Sequence, residues 1–121
     1  MTLILEGHKS VDTNKITEMT GLRPTFHSKH RDADPNPSHS EWFHDLFPDP
    51  ADSVDERIGL LLKRLGRHRK RIVNTARELN LKTTFQVRIN RGENEPDYSI
   101  RAVTLKRIME YHADLDLVFG W

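Results

Sequence analysis

Apolar and polar residues alternate most regularly in two stretches of the second half of the chain. Residues 81–89 place one set of side chains on a single side: Leu81, Phe85, Val87 and Ile89. Residues 114–121 repeat the pattern with an inward set and an outward pair: Leu115, Leu117, Phe119 and Trp121 against Asp114 and Asp116. Because side chains alternate between the faces of a strand, both stretches are predicted strands of a sheet wetted on one face.

A helical spacing of apolar residues covers residues 54–79. The apolar positions step by three and four: Val54, Ile58, Leu61, Leu62, Leu65, Ile72, Val73, Ala76 and Leu79. Ser53 is a good helix cap, and Asp55 and Glu56 suit the positive end of the helix dipole. Gly66 interrupts the pattern, which therefore predicts one kinked helix or two helices.

Two shorter helices are predicted on either side of this segment. Asp12 is the expected N-cap of the first, which places Ile16 and Met19 inward and ends at Gly21 before a proline. Ser99 is the expected N-cap of the last helix, whose inward side carries Leu105, Ile108, Met109 and His112.

Two further strands are predicted in the first half. Residues 3–5 form a short apolar strand that Gly7 is expected to stop. The aromatic-rich residues 41–47 are expected to form a strand that docks Trp42 or Phe43 on the core. The prolines around this strand predict an irregular loop over about residues 25–52.

The order of elements predicts an α+β fold. It is strand, helix, strand, helix pair, strand, helix, strand, as expected for a two-layer sandwich with helices packed on one face of a mixed or antiparallel sheet of about four or five strands. A length of 121 residues fits a single domain spanning 1–121.

Charge is segregated along the chain although the net charge is only +1. Residues 31–56 carry a run of acids opposed by Arg31 alone: Asp32, Asp34, Glu41, Asp45, Asp49, Asp52, Asp55 and Glu56. Residues 57–77 contain lysine and arginine and no acid. The basic segment 63–71 favours phosphate binding, but it lacks stacking aromatic residues and a helix-turn-helix signature, so nucleic acid is the less favoured partner.

Histidine supplies a third candidate chemistry. His27, His30, His39 and His44 lie in or beside the irregular loop near several aspartates, which raises the alternative of a metal-binding loop. Their spacing does not match a helix or hairpin, so we favour solvated loop histidines and no cofactor. His68 falls on the helical stripe and is expected to be half-buried and hydrogen-bonded.

No catalytic motif is recognisable in the sequence. It contains no phosphate-binding glycine loop, no Gly-x-Ser-x-Gly elbow, no His-Glu-x-x-His pair and no cysteine. The absence of cysteine favours a reducing compartment, and no apolar run suits a signal peptide or bilayer span. We therefore expect a non-enzymatic, cytoplasmic protein with no membrane partner.

Several motifs resemble the bacterial family called domain of unknown function 4279. They are the segment TGLRPT at 20–25, the tryptophan after the variable loop (Trp42), VDERI at 54–58 leading into leucines, YSI at 98–100, and LDL at 115–117. The resemblance implies the same fold, and a companion of bacterial toxins more than an enzyme, with no catalytic residues to carry over.

These observations predict an intracellular binding protein, of the immunity type, that neutralises a basic bacterial toxin domain by covering it. The acidic loop and its aromatic residues are the predicted partner-binding surface: Trp42, Phe43, Asp45, Phe47, Asp49, Asp52, Asp55 and Glu56. A nucleic-acid-associated module using 63–71 and a protein of unknown function with a histidine-rich metal loop remain the alternatives.

Overall fold

The computed structural model of the chain describes residues 1–25, 39–47, 53–90 and 99–120. In these ranges the elements follow the predicted order. They are β1 Thr2–His8, α1 Thr13–Thr20, β2 His39–Asp45, α2 Val54–Leu65, a 3-10 turn Gly66–His68, α3 Arg69–Leu79, β3 Lys82–Asn90, α4 Ala102–Met109 and β4 Ala113–Gly120.

The strands form one mixed sheet in the order β2-β1-β3-β4. β1 pairs antiparallel with β2 and β3, and β3 pairs parallel with β4. The parallel pair requires a crossover, which contains α4. The predicted α+β fold is confirmed.

The strand register places the core on one face of the sheet, here called the inner face. Leu5 lies opposite Trp42, and Leu3 lies opposite Phe85, which is in turn opposite Leu115. Leu3, Leu5, Trp42 and Phe85 share one buried cluster, against which Leu115 packs, with residues from all four helices: Ile16, Val54, Ile58, Leu61, Leu62, Leu65, Ile72 and Ile108. The helices therefore pack on the inner face, as predicted.

The predicted helix signals near α1 and α2 are confirmed. The Asp12 carboxylate accepts the Asn14 N–H at 2.9 Å, and Gly21 ends α1 in the left-handed region at φ 73. The Ser53 hydroxyl accepts the Glu56 N–H at 3.1 Å. The segment after Ser53 forms two helices, and Gly66 begins the 3-10 turn between them.

Gly7 does not stop the first strand. It lies inside β1 opposite Ser40, and a Cβ at Gly7 would fall 2.6 Å from Leu81 Cδ2. The glycine therefore permits a close approach of the chain leading into β3.

The start and the inward side of α4 differ from the prediction. Its N-cap is Arg101 rather than Ser99, and no side chain caps it. Leu105 and Met109 are exposed by 41% and 69%, and His112 is also exposed. Ile108 is buried as predicted, and it lies on a buried line with Thr104 and Tyr111. Because α4 contacts both α2 and β4, these contacts determine which stripe of the helix is buried.

The inward residues of β4 are less covered than predicted. Leu115 is half-buried, but Leu117 and Phe119 are exposed by 36% and 48%. Their β3 neighbours Val87 and Ile89 are buried. The alternation correctly predicted the strand, but β4 is the edge of the sheet, where the helices do not fully cover the inner face. Trp121 lies outside the described residues.

The opposite face, here called the outer face, is not wetted throughout. Ile4, Phe43 and Thr84 form one row across three strands. Phe43 is exposed by 8% and Thr84 by 4%, so the prediction of a fully wetted face is wrong at this row. Elsewhere the outer face is charged, as at the 3.7 Å pair between Lys82 and Asp114.

Candidate functional site

The aromatic pair of the predicted partner surface belongs to the folded interior. Trp42 is exposed by 1%, and its Nε1 donates to Thr17 Oγ1 at 3.0 Å while its ring stacks on His44. Phe43 is buried on the outer face. The prediction that these two rings face a partner is therefore wrong, because they offer almost no accessible surface.

Asp45 and Asp55 of that predicted surface make contacts within the chain. The Thr2 hydroxyl donates to Asp45 at 2.6 Å, and the Arg101 N–H donates to Asp55 at 2.8 Å. Glu56 is exposed, and Phe47 is exposed by 76%. Asp49 and Asp52 lie outside the described residues. The described members of the predicted set thus do not form one surface.

A groove of about 750 Å³ runs between α2 and α4, and we call it the α2–α4 groove. Asp55 and Glu56 are the two predicted residues that line it. The α2 side consists of two stripes at helical spacing: Asp55, Gly59, Leu62 and Gly66, with Glu56, Leu60 and Lys63. The α4 side contributes Val103, Thr104, Arg107, Glu110 and Tyr111. Sequence reasoning assigned no role to most of these residues.

The two walls of the groove are connected at both ends. Asp55 accepts the backbone N–H of Arg101, which joins the start of α2 to the start of α4. Arg69 and Glu110 form an ion pair at 2.6 Å just beyond the ends of the same helices. The helices therefore run side by side in the same direction, and the cleft lies between them.

The middle of the groove combines open space with exposed apolar side chains. A Cβ at Gly59 would meet only Arg107 Nη1, at 4.0 Å. Leu60 is exposed by 41% and Val103 by 56%, one from each wall. Lys63 and Arg107 add positive charge beside them.

Tyr111 lines the groove but belongs to the core. Its ring packs edge-on against Phe85 at 5.2 Å, and its hydroxyl donates to the Leu62 carbonyl at 3.5 Å. Burial raises the pKa of the Tyr111 phenol. The group thus stays neutral and structural. Its position three residues after Ile108 was the sequence signal for this role.

The basic segment 63–71 is divided among several structural contacts. Arg64 donates to the Phe47 carbonyl at 2.8 Å, Arg69 pairs with Glu110, and His68 Nδ1 lies 3.1 Å from the Thr20 carbonyl. The expected half-buried, hydrogen-bonded His68 is confirmed. These three side chains are therefore engaged within the chain, whereas Lys63, Arg67, Lys70 and Arg71 are exposed.

The two described loop histidines lie on opposite faces of the sheet. His39 faces outward, with Nε2 2.8 Å from Glu41 and 3.6 Å from Glu6. His44 faces inward, with Nδ1 2.6 Å from the Arg23 carbonyl. They cannot share one ion. His27 and His30 lie outside the described residues, among which no group of three suitable side chains could hold a metal.

Comparisons with known proteins identify a family but no function. No described helix combines the length and apolar character needed to cross a bilayer. No curated protein and no solved structure matches the chain. A family model named domain of unknown function (DUF4279) matches residues 1–119. Since this match covers nearly the whole sequence, the chain belongs to the DUF4279 family.

Proposed function

We propose that this protein is a non-enzymatic binding protein that holds a segment of another protein in the α2–α4 groove. The observation that carries the proposal is the pair of exposed apolar side chains, Leu60 and Val103, on facing walls of a braced cleft. Exposed apolar surface in a preformed cleft is typical of binding sites. A cleft that is already formed also lowers the ordering cost of association.

The charges around the groove define the segment that would fit. Asp55 and Glu110 make the contacts at the two ends, whereas Lys63 and Arg107 flank the open centre. A bound segment would therefore offer apolar side chains to Leu60 and Val103, and a carboxylate to one of these two cations. This chemistry differs from the basic partner that the acidic residues suggested.

The finer hypothesis is that the partner is a bacterial toxin domain and that both proteins meet in the cytoplasm. It is supported by the family resemblance and by the acidic run of the sequence that contains Asp49 and Asp52, whose carboxylates would attract a basic toxin surface. Neutralisation would follow from covering the toxin, with no chemistry required of this chain.

The direct test is affinity for a toxin-like product of a neighbouring gene, measured by titration calorimetry. Gly59→Leu adds a side chain to the groove at a position where a Cβ would meet only Arg107 Nη1, at 4.0 Å, and it should weaken binding at least about tenfold by blocking apolar contact with the partner. Lys70→Leu is the matched control, because it adds an exposed leucine to α3 outside the groove. Circular dichroism checks that both variants fold.

Equal affinities of wild type, Gly59→Leu and Lys70→Leu would contradict the groove as the binding site. Charge reversal at Asp49 and Asp52 tests the toxin-facing acids separately, since it should slow association and remove its salt dependence. A salt-sensitive gel shift of DNA or RNA by wild-type protein would instead favour the nucleic-acid alternative.

A further inference from the structure

The two edges of the sheet differ in how they are covered. At the β2 edge the Thr25 N–H donates to the Phe43 carbonyl at 2.9 Å, so the chain after α1 covers that edge at Phe43. At the β4 edge no backbone hydrogen bond arrives from any other described segment except β3. β4 also lacks the proline and lysine that commonly protect edge strands.

Apolar side chains are concentrated beside the open β4 edge. On β4, Leu117 and Phe119 are exposed on the inner face, and on α4, Leu105 and Met109 are exposed on the side away from Val103. Burial of exposed apolar side chains is the usual driving force of protein association. A single added strand would pair with the backbone of β4 and would also cover these apolar side chains.

We propose that a second copy of this chain occupies the edge, with the two β4 strands antiparallel about a two-fold axis at Leu117. In this register Leu117 lies opposite Leu117 of the second copy, and Leu115 lies opposite its Phe119. Each pair lies on the inner face of a continuous eight-stranded sheet. The same patch serves both copies, as a two-fold interface requires.

The charges on the outer face favour the same register. Asp116 lies opposite Val118 of the second copy, and Asp114 lies opposite its Gly120, so no acid directly faces an acid. Arg88 is the β3 neighbour of Val118, which places it two strand spacings, about 10 Å, from Asp116 of the second copy. An extended arginine and an aspartate together span this distance.

Neither Arg88 nor Asp116 has an ion pair within its own chain among the described residues. In the proposed dimer, Arg88 of each copy can pair with Asp116 of the other copy, so the two-fold axis creates two such ion pairs. This complementarity distinguishes a second copy from an unrelated strand, which would have to supply the matching charge by chance.

This interface goes beyond the proposed function and leaves the groove open. Val103 and Arg107 point to the α2–α4 groove, while Leu105 and Met109 lie on the opposite side of the same helix. A Gly59→Leu variant should therefore remain a dimer even when it no longer binds a partner protein.

The first test is the mass in solution by light scattering, expected at twice the 14.1 kDa of the chain. Because the chain contains no cysteine, Leu117→Cys should form a disulfide across the axis under mild oxidation. Val118→Cys is the matched control. In this register residue 118 lies opposite Asp116 of the second copy and only diagonally across from residue 118, so the two cysteines should cross-link poorly. A monomeric mass, or a stronger cross-link at Val118→Cys, would overturn the proposal.

The second test is a charge exchange measured by analytical ultracentrifugation. Asp116→Arg and Arg88→Asp should each weaken the dimer about tenfold, the effect expected for losing two exposed ion pairs. The double variant should restore the wild-type dimer, because it exchanges the charges without changing the register. Failure of the double variant to recover would contradict the proposed pairing.

Discussion

Replacing Gly59 with alanine should make the protein more stable. Gly59 lies in the interior of α2, where a glycine loses more backbone freedom on folding than alanine does. A Cβ there would have a single neighbour within 4 Å, Arg107 Nη1 at 4.0 Å, which is an ordinary contact distance. The substitution therefore removes an entropic cost and introduces no clash.

The expected gain follows from helix propensity. Alanine is favoured over glycine in a helix interior by about 1 kcal/mol. With a urea dependence of about 1–3 kcal/mol/M, the midpoint of unfolding should rise by about 0.3–1 M. The melting temperature should rise by about 3–5 °C for a domain of this size.

Urea titration followed by circular dichroism measures this shift, and Gly21→Ala serves as the opposite control. Gly21 has φ 73, a conformation that costs a residue with a Cβ about 1–2 kcal/mol. A lower midpoint for Gly59→Ala than for wild type would refute the conclusion that there is room for a Cβ at Gly59. A gain in stability would mean that the native glycine costs stability at the centre of the groove, as expected where binding needs room.

Two further predictions concern the core. Trp42→Phe should lower the free energy of unfolding by about 2 kcal/mol in urea titrations, because it leaves a cavity and removes the hydrogen bond to Thr17; an unchanged midpoint would contradict the buried position of the indole. Burial raises the pKa of Tyr111 above its usual value near 10, so the stability it contributes is present below about pH 10 and is lost as the pH rises through the raised pKa. Stability of wild type should therefore fall more steeply than that of Tyr111→Phe in unfolding curves from about pH 9 to 11, and parallel curves would show that the phenol is not buried.

Local signals predicted most of the fold. The caps at Asp12 and Ser53 and the break at Gly66 depend on neighbouring residues alone, so they could be found without tertiary information. The alternation around Phe85 likewise reports strand geometry directly. These features require only a short stretch of chain to be recognised.

The failures occurred where burial depends on elements distant in sequence. Leu105 and Met109 are as apolar as core residues, but the contacts of α4 with α2 and β4 bury Thr104 beside the correctly predicted Ile108 and leave those two exposed. The alternation correctly placed Leu117 on the inner face of the sheet. Whether Leu117 is buried there depends on whether the helices reach as far as β4. Strand order, which made β4 an edge, cannot be read from a period of two.

The α2–α4 groove was missed for the same reason. Gly59 and Val103 are separated in the sequence, and neither has a motif that marks it as a binding residue. They become one site because α2 and α4 lie side by side, packed on the core through Ile58 and Ile108 and linked by the Asp55 contact and the Arg69 ion pair. The aromatic residues at 42 and 43 stood out more clearly in the sequence, but they are aromatic because they are buried and not because they bind a partner.

The short helix α4 connects the two proposed surfaces while keeping them separate. Its 8 residues are too few for a stable isolated helix, so contacts through Thr104 and Ile108 must fix its position. Once that line is buried, Val103 is left on the groove side and Leu105 on the β4 side. A substitution at Ile108 would thus disturb both surfaces, whereas changes at Val103 or Leu105 should affect one each, because exposed side chains on opposite sides of a helix share no partner.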